Sequence, residues 1–136
     1  MKYISFLALV LFVASCSSPK KAETEEKPDI KTEVLDIHDE VMPKMGELRA
    51  TQKKLLVLAD SSVADSIMAS KYRALANDIK LANEGMMDWM RNYDPEYEGT
   101  EEEVALYLQD QLKSVKKVRD DMNSSLQEGK NALEGN

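Results

Sequence analysis

From Ile30 onward the apolar residues return at alternating steps of three and four, the spacing that lines up side chains along one stripe of a helix. Val34, His38, Val41, Met45, Leu48, Gln52, Leu55 and Ala59 form the first stripe, with two polar members, and predict a helix over about residues 30–59. Asp60, Ser61 and Ser62 supply capping side chains for a reversal, after which Met68, Tyr72, Leu75, Ile79, Ala82, Met86, Trp89 and Tyr93 form a second stripe over about residues 62–93. Asp94-Pro95 stops it, because proline has no backbone N–H and pushes the residue before it out of the helical region. Thr100-Glu101-Glu102-Glu103 has the spacing of a capping box and places acids at the positive end of a helix dipole. The third stripe, Val104, Leu108, Leu112, Val115, Arg119, Met122, Leu126 and Leu133, predicts a helix over about residues 100–133. Helices of about thirty residues are each about 45 Å long at 1.5 Å per residue. Joined by short connections, three of them bury their stripes by lying antiparallel. The expected fold is therefore all-α: an antiparallel up-down-up three-helix bundle over residues 30–136, closed as a monomer, with a self-associating antiparallel coiled coil as the alternative.

Residues 1–29 break this pattern. Lys2 precedes an apolar run over residues 4–12 that is too short to span a bilayer, and Val13-Ala14-Ser15 follows as a small-residue cleavage site. The single cysteine of the chain, Cys16, comes next. Val-Ala-Ser-Cys resembles the lipobox of bacterial lipoproteins. That resemblance implies a signal peptide over residues 1–15, diacylglyceryl transfer to Cys16, cleavage after Ser15 and acylation of the new amino terminus. Residues 17–29 are polar, hold Pro19 and Pro28 and offer almost nothing to bury, so residues 16–29 read as a lipidated, disordered tether. A flexible chain of this length reaches roughly 20 Å.

Composition narrows the function classes. The 136 residues carry 18 Lys and Arg against 25 Asp and Glu, a net charge of −7, and removal of Lys2 with the signal peptide makes the mature chain one unit more acidic. With no basic stripe beyond short pairs such as Lys53-Lys54 and Lys116-Lys117, nucleic-acid binding is not expected. A lone cysteine allows no intramolecular disulfide, so packing must hold the domain together.

Catalysis is not expected either. The one histidine, the acylated cysteine and the absence of a glycine-rich phosphate loop leave no nucleophile, base and orienter set. His38 has Leu35 rather than a glutamate three residues before it, which excludes the Glu-x-x-His pairs of di-metal bundles.

Two stretches carry more chemistry than the rest: His-Asp-Glu-Val-Met-Pro-Lys-Met-Gly over residues 38–46 and Met-Met-Asp-Trp-Met-Arg-Asn-Tyr over residues 86–93. A reversal centred near Ser61 puts His38 level with position 84. A loop centred near Tyr97 puts Met86 level with Leu108 and next to Tyr107. One end of the bundle, the end facing the tether, then gathers His38, Met42, Met86, Trp89, Met90 and Tyr93. Imidazole and thioether suit soft ions such as Cu(I) or Ag(I), and His38, Met42 and Met45 share a helix face, so the candidate metal donors are His38, Met42, Met45, Met86 and Met90, with an indole to cover the ion. The competing reading is plain packing, in which methionine fills the core and a seam histidine fixes register. Pro43 inside the first helix predicts a kink, which either bends the helix around its partners or opens a pocket beside His38, Trp89 and Tyr93.

With its two motifs, the chain resembles a group of small uncharacterised helical lipoproteins of Bacteroidota, over nearly all of residues 34 to 126. The resemblance implies location and fold, and carries over no catalytic or binding residue. The expected function is that of a non-catalytic lipoprotein of the cell envelope, anchored through Cys16 on the periplasmic side of the outer membrane. Its bundle binds an envelope protein partner and needs no cofactor. A soft-metal carrier is the alternative.

Overall fold

The computed structural model describes residues 29–62 and 64–135. The expected signal peptide, lipidated Cys16 and most of the tether lie outside the described residues. Every described element is helical: α1 (Ile30–Val41), one 3₁₀ turn (Met42–Lys44), α2 (Met45–Ser61), α3 (Ser66–Asn92) and α4 (Glu101–Glu134). The first predicted helix is thus two helices with a tighter turn between them, and Pro43 is the cause. Lacking an N–H, it cannot bond the carbonyl of Asp39, and its ring crowds that carbonyl. Val41 turns to φ −101°, Met42 N–H still bonds His38 O, and Met45 N–H bonds Met42 O across the turn. This is the i to i+3 pattern of a 3₁₀ segment.

The ends of the other helices have local causes too. The Asp65 carboxylate accepts from the N–H groups of Ile67 and Met68 at 3.1 and 3.0 Å, capping α3, so the reversal falls a few residues later than the serines suggest. Tyr93, extended with ψ at 123°, leads out of α3 into Asp94-Pro95. At α4 the expected capping box is present. Thr100 Oγ1 accepts from Glu103 N–H at 3.3 Å, and Glu103 Oε2 accepts from Thr100 N–H at 2.8 Å and from its hydroxyl at 2.9 Å. These bonds, the backbone one first, hold the Glu103 carboxyl below the usual range for a glutamate.

Three bodies pack together: the α1–α2 pair, α3 and α4. Val34, Val41, Leu48, Leu55, Ile79, Met86, Val115 and Met122 have no contact with water. Burial of one such side chain stabilises by about 1.5–3 kcal/mol. Cross-contacts fix the register. Glu33 pairs with Lys116 and Glu47 with Lys130, both at 2.6 Å. Lys44 Nζ donates to Asn123 Oδ1 at 2.8 Å and Lys31 Nζ to Pro95 O at 2.6 Å, and Arg73 meets Asp60 at 3.3 Å.

The core is wider than the three stripes. Ile37, Thr51, Ala69, Ala76, Asn83, Ser125 and Gly129 are buried as well, because each helix faces two neighbours and buries more than one line of side chains. Leu75, expected mid-core, is only partly buried, and Ala76 beside it takes the inward position. Small residues let the helices approach closely: a Cβ added to Gly129 would lie 2.8 Å from Thr51 Cγ2 and 2.9 Å from Ile79 Cδ1.

Candidate functional site

His38 lies on the last two turns of α1, at the rim of the core, with its side chain 23% exposed. Its Nδ1 is 2.8 Å from Asp39 Oδ1, and its Nε2 is 3.3 Å from Met90 Sδ on α3. Trp89 and Tyr93 follow from the same helix, four residues apart and therefore on one face. Their rings stack at 4.9 Å and 18°. The Trp89 ring is 5.8 Å from the imidazole, tilted by 36°. The row continues through Tyr107 of α4, 6.4 Å from Tyr93, to Tyr97 of the connecting loop, 4.2 Å from Tyr107. Tyr107 Oη accepts from Asp94 N–H at 2.6 Å, and the Lys31 bond to Pro95 O ties the same loop to α1.

Leu35, His38, Trp89, Met90, Tyr93 and Pro95 line a cleft of about 240 Å³ at this end. Trp89 Nε1 and Tyr93 Oη are buried with no hydrogen-bond partner. A buried, unsatisfied polar group costs about 1–3 kcal/mol. Burial, then the neighbouring Tyr107, Asp29 and Asp94, raise the Tyr93 hydroxyl above the ordinary phenol range.

The structure therefore joins His38, Trp89, Met90 and Tyr93 in one place. It does not bring the other predicted residues to the cleft. Met45 and Met86 are buried in the core, and Met42 is half-buried against it. Pro43 is exposed in its 3₁₀ turn, more than a helical turn beyond His38, and does not line the cleft. The register also differs from the expected one. His38 meets Met90 rather than position 84, because the reversal is centred near residue 64, and a Cβ added to Gly85 of α3 would lie 3.9 Å from Val118 Cγ2 of α4.

Asp39, Leu35, Pro95 and Tyr97 were missing from the sequence-derived set. Asp39 had a signal in its position next to the histidine. Leu35 and Pro95 had none, since their place follows from the register.

Among the described residues no group of three or more His, Cys, Asp and Glu side chains is arranged to hold a metal ion. A second cleft, about 520 Å³, lies between the C-terminal parts of α2 and α4, lined by Lys53, Lys54, Val57, Leu58 and Leu133. A third, about 440 Å³ and rich in charged and hydroxyl groups, runs between α3 and α4 near Asp78, Lys117, Asp121 and Glu128.

Comparison with protein-family models, with curated proteins and with solved structures finds no match to the chain.

Proposed function

We propose that this protein is a non-catalytic lipoprotein of the bacterial cell envelope, anchored through Cys16, whose antiparallel up-down-up three-helix bundle serves as an interaction module. Support for the helix directions comes from the order of the cross-contacts. Along the first helix and α4 the paired positions rise together, Glu33 with Lys116 and Glu47 with Lys130. Between the first helix and α3 they run in opposite order, Lys31 with Pro95 and Asp60 with Arg73. The anchor is read from Val13-Ala14-Ser15-Cys16, outside the described residues. No helix among the described residues is long and apolar enough to cross a membrane.

The observation that carries the interaction reading is the cleft of Val57, Leu58 and Leu133. It opens beside a β-branched apolar side chain that is 61% exposed, and Lys53 and Lys54 flank it. Leu58 lies about 42 Å along the helix from Ile30, at 1.5 Å per residue, so the cleft is at the end away from the tether. Apolar surface rimmed by charge is the usual form of a protein contact. The two lysines favour a partner segment with an apolar anchor and acidic flanks.

Site-specific photo-crosslinking in intact cells tests this. A photoreactive residue at Val57 is expected to give a discrete adduct that the same residue at exposed Ala74 of α3 does not. No adduct at Val57, or equal adducts at both positions, would overturn the reading.

A further inference from the structure

Two soft donors face each other between α1 and α3. His38 Nε2 stands 3.3 Å from Met90 Sδ, and on the far side of the ring Nδ1 stands 2.8 Å from the Asp39 carboxylate. An ionised carboxylate only accepts, so in the neutral imidazole the proton sits on Nδ1. Nε2 then turns its lone pair toward a thioether that offers another. A cation between the two atoms makes ligands of both.

We propose that His38 Nε2 and Met90 Sδ bind a soft monovalent cation of the Cu(I) type, with the indole of Trp89 closing one side of the site. The donor pair sets the ion class, since thioether sulfur selects soft ions over Mg²⁺ or Ca²⁺. Asp39 supplies the carboxylate that orients a ligating histidine. The Trp89 ring centroid lies 5.8 Å from that of the imidazole, so the indole is the aromatic neighbour of the ligating ring. Only 7% exposed and stacked on Tyr93, it is a fixed wall rather than a swinging one.

The spacing fits with a small adjustment. With metal–nitrogen and metal–sulfur bonds of about 2.0 and 2.3 Å, as zinc makes them, a nitrogen-to-sulfur distance of 3.3 Å corresponds to an angle of about 100° at the ion. A trigonal angle needs about 3.7 Å. The difference of about 0.4 Å is within reach of the three side-chain torsions of methionine. The cleft of about 240 Å³ lined by His38 and Met90 gives the ion its way in. Met45 and Met86 are core residues and take no part. This inference does not depend on the anchor or on the partner cleft.

The experiment is a titration of the full chain carrying Cys16→Ala, so that no thiol competes for the ion, purified in detergent, with Ag(I) in chloride-free and thiol-free buffer. Trp89 is the one tryptophan and His38 the one histidine, so each gives a single local signal. The expected result is fluorescence quenching that saturates at one equivalent, together with a shift of the imidazole Nε2 nitrogen resonance larger than that of Nδ1. Met90→Leu, which keeps the volume, is expected to weaken binding at least tenfold, while Met87→Leu, three residues before it on an exposed position, leaves it unchanged. No saturation near one equivalent, an unmoved Nε2 resonance, or equal binding by Met90→Leu would each overturn the proposal. The nitrogen resonance of the Cys16→Ala chain with Met90 intact decides the matter even if Met90→Leu does not fold.

Discussion

Replacing Gly129 by alanine adds one methyl group where α4 packs tightly against both α2 and α3. The new Cβ would stand 2.8 Å from Thr51 Cγ2, 2.9 Å from Ile79 Cδ1 and 3.4 Å from Leu55 Cδ1. Carbon pairs settle at about 3.5–4.0 Å, so two of the three contacts overlap by about 0.6 Å or more. All three neighbours are buried, and Thr51 is β-branched and held in its helix with few other rotamers, so they cannot retreat into solvent. Overpacking of this kind costs about 1–3 kcal/mol. Alanine returns about 0.8–1.0 kcal/mol through its better helix propensity. With two contacts under 3.0 Å we expect the cost to prevail, for a net loss of about 1–2 kcal/mol. For a domain near 100 residues this lowers the midpoint by about 4–10 °C.

Thermal and urea melts followed by circular dichroism at 222 nm measure the effect, and an unchanged urea slope would show that the folded state stays compact. Gly46→Ala is the matched control: nothing lies within 4 Å of its added Cβ, and we expect a gain of about 0.5–1 kcal/mol. Thr51→Ser in the Gly129→Ala background removes the tightest contact and should restore part of the loss. A Gly129→Ala midpoint at or above wild type would refute the close approach of α4 to α2.

Ile79→Ala removes a fully buried side chain at the meeting of the three helices and should cost about 2–5 kcal/mol; a midpoint within a degree of wild type would show that this face of α3 is not the core face. Pro43→Ala restores a donor for the Asp39 carbonyl and should raise stability by up to about 3 kcal/mol in the same melts, whereas a fall would mean that the seating of Met42 and Met45 depends on the 3₁₀ turn. Thr100→Ala should cost about 0.5–2 kcal/mol through loss of the cap. Because folding lowers the Glu103 carboxyl, its contribution is present above the unfolded glutamate value of about 4.3 and disappears as pH falls through the lower folded value. NMR titration should give a Glu103 midpoint below that of an unstructured glutamate, and Thr100→Ala, which removes the hydroxyl and keeps the backbone N–H, should bring it back only in part.

Much of the fold was legible because helices repeat. The three stripes named Val34, Val41, Leu48, Leu55, Ile79, Met86, Val115 and Met122, and all eight are fully buried. Thr100 and Glu103 announced their capping box by spacing alone. What the stripes did not carry was width and register. Ala69, Ala76, Ser125 and Gly129 are inside because neighbouring helices come close, a property of three helices at once and not of any one sequence window. The reversal was misplaced by a few residues because Asp60, Ser61 and Ser62 are good caps, while Asp65 is the cap used. That shift moved the partner of His38 from position 84 to Met90. The candidate site was thus legible as a meeting of two motifs. Which of their members touch was decided by the loop, and of the two readings of the Pro43 kink, a bend in the helix or an opened pocket, the structure has the bend, with Pro43 outside the cleft lining.

The central claim is lipid anchoring through Cys16, and metabolic labelling tests it most directly. Cells expressing the wild type or Cys16→Ala are grown with an alkynyl fatty acid, and the immunoprecipitated chain is coupled to a fluorophore and compared between membrane and soluble fractions. The account predicts a labelled wild-type chain in the membrane fraction and an unlabelled Cys16→Ala chain, found either as uncleaved precursor or as soluble protein. Label that persists on Cys16→Ala, or a wild-type chain that never takes it up, would contradict the account.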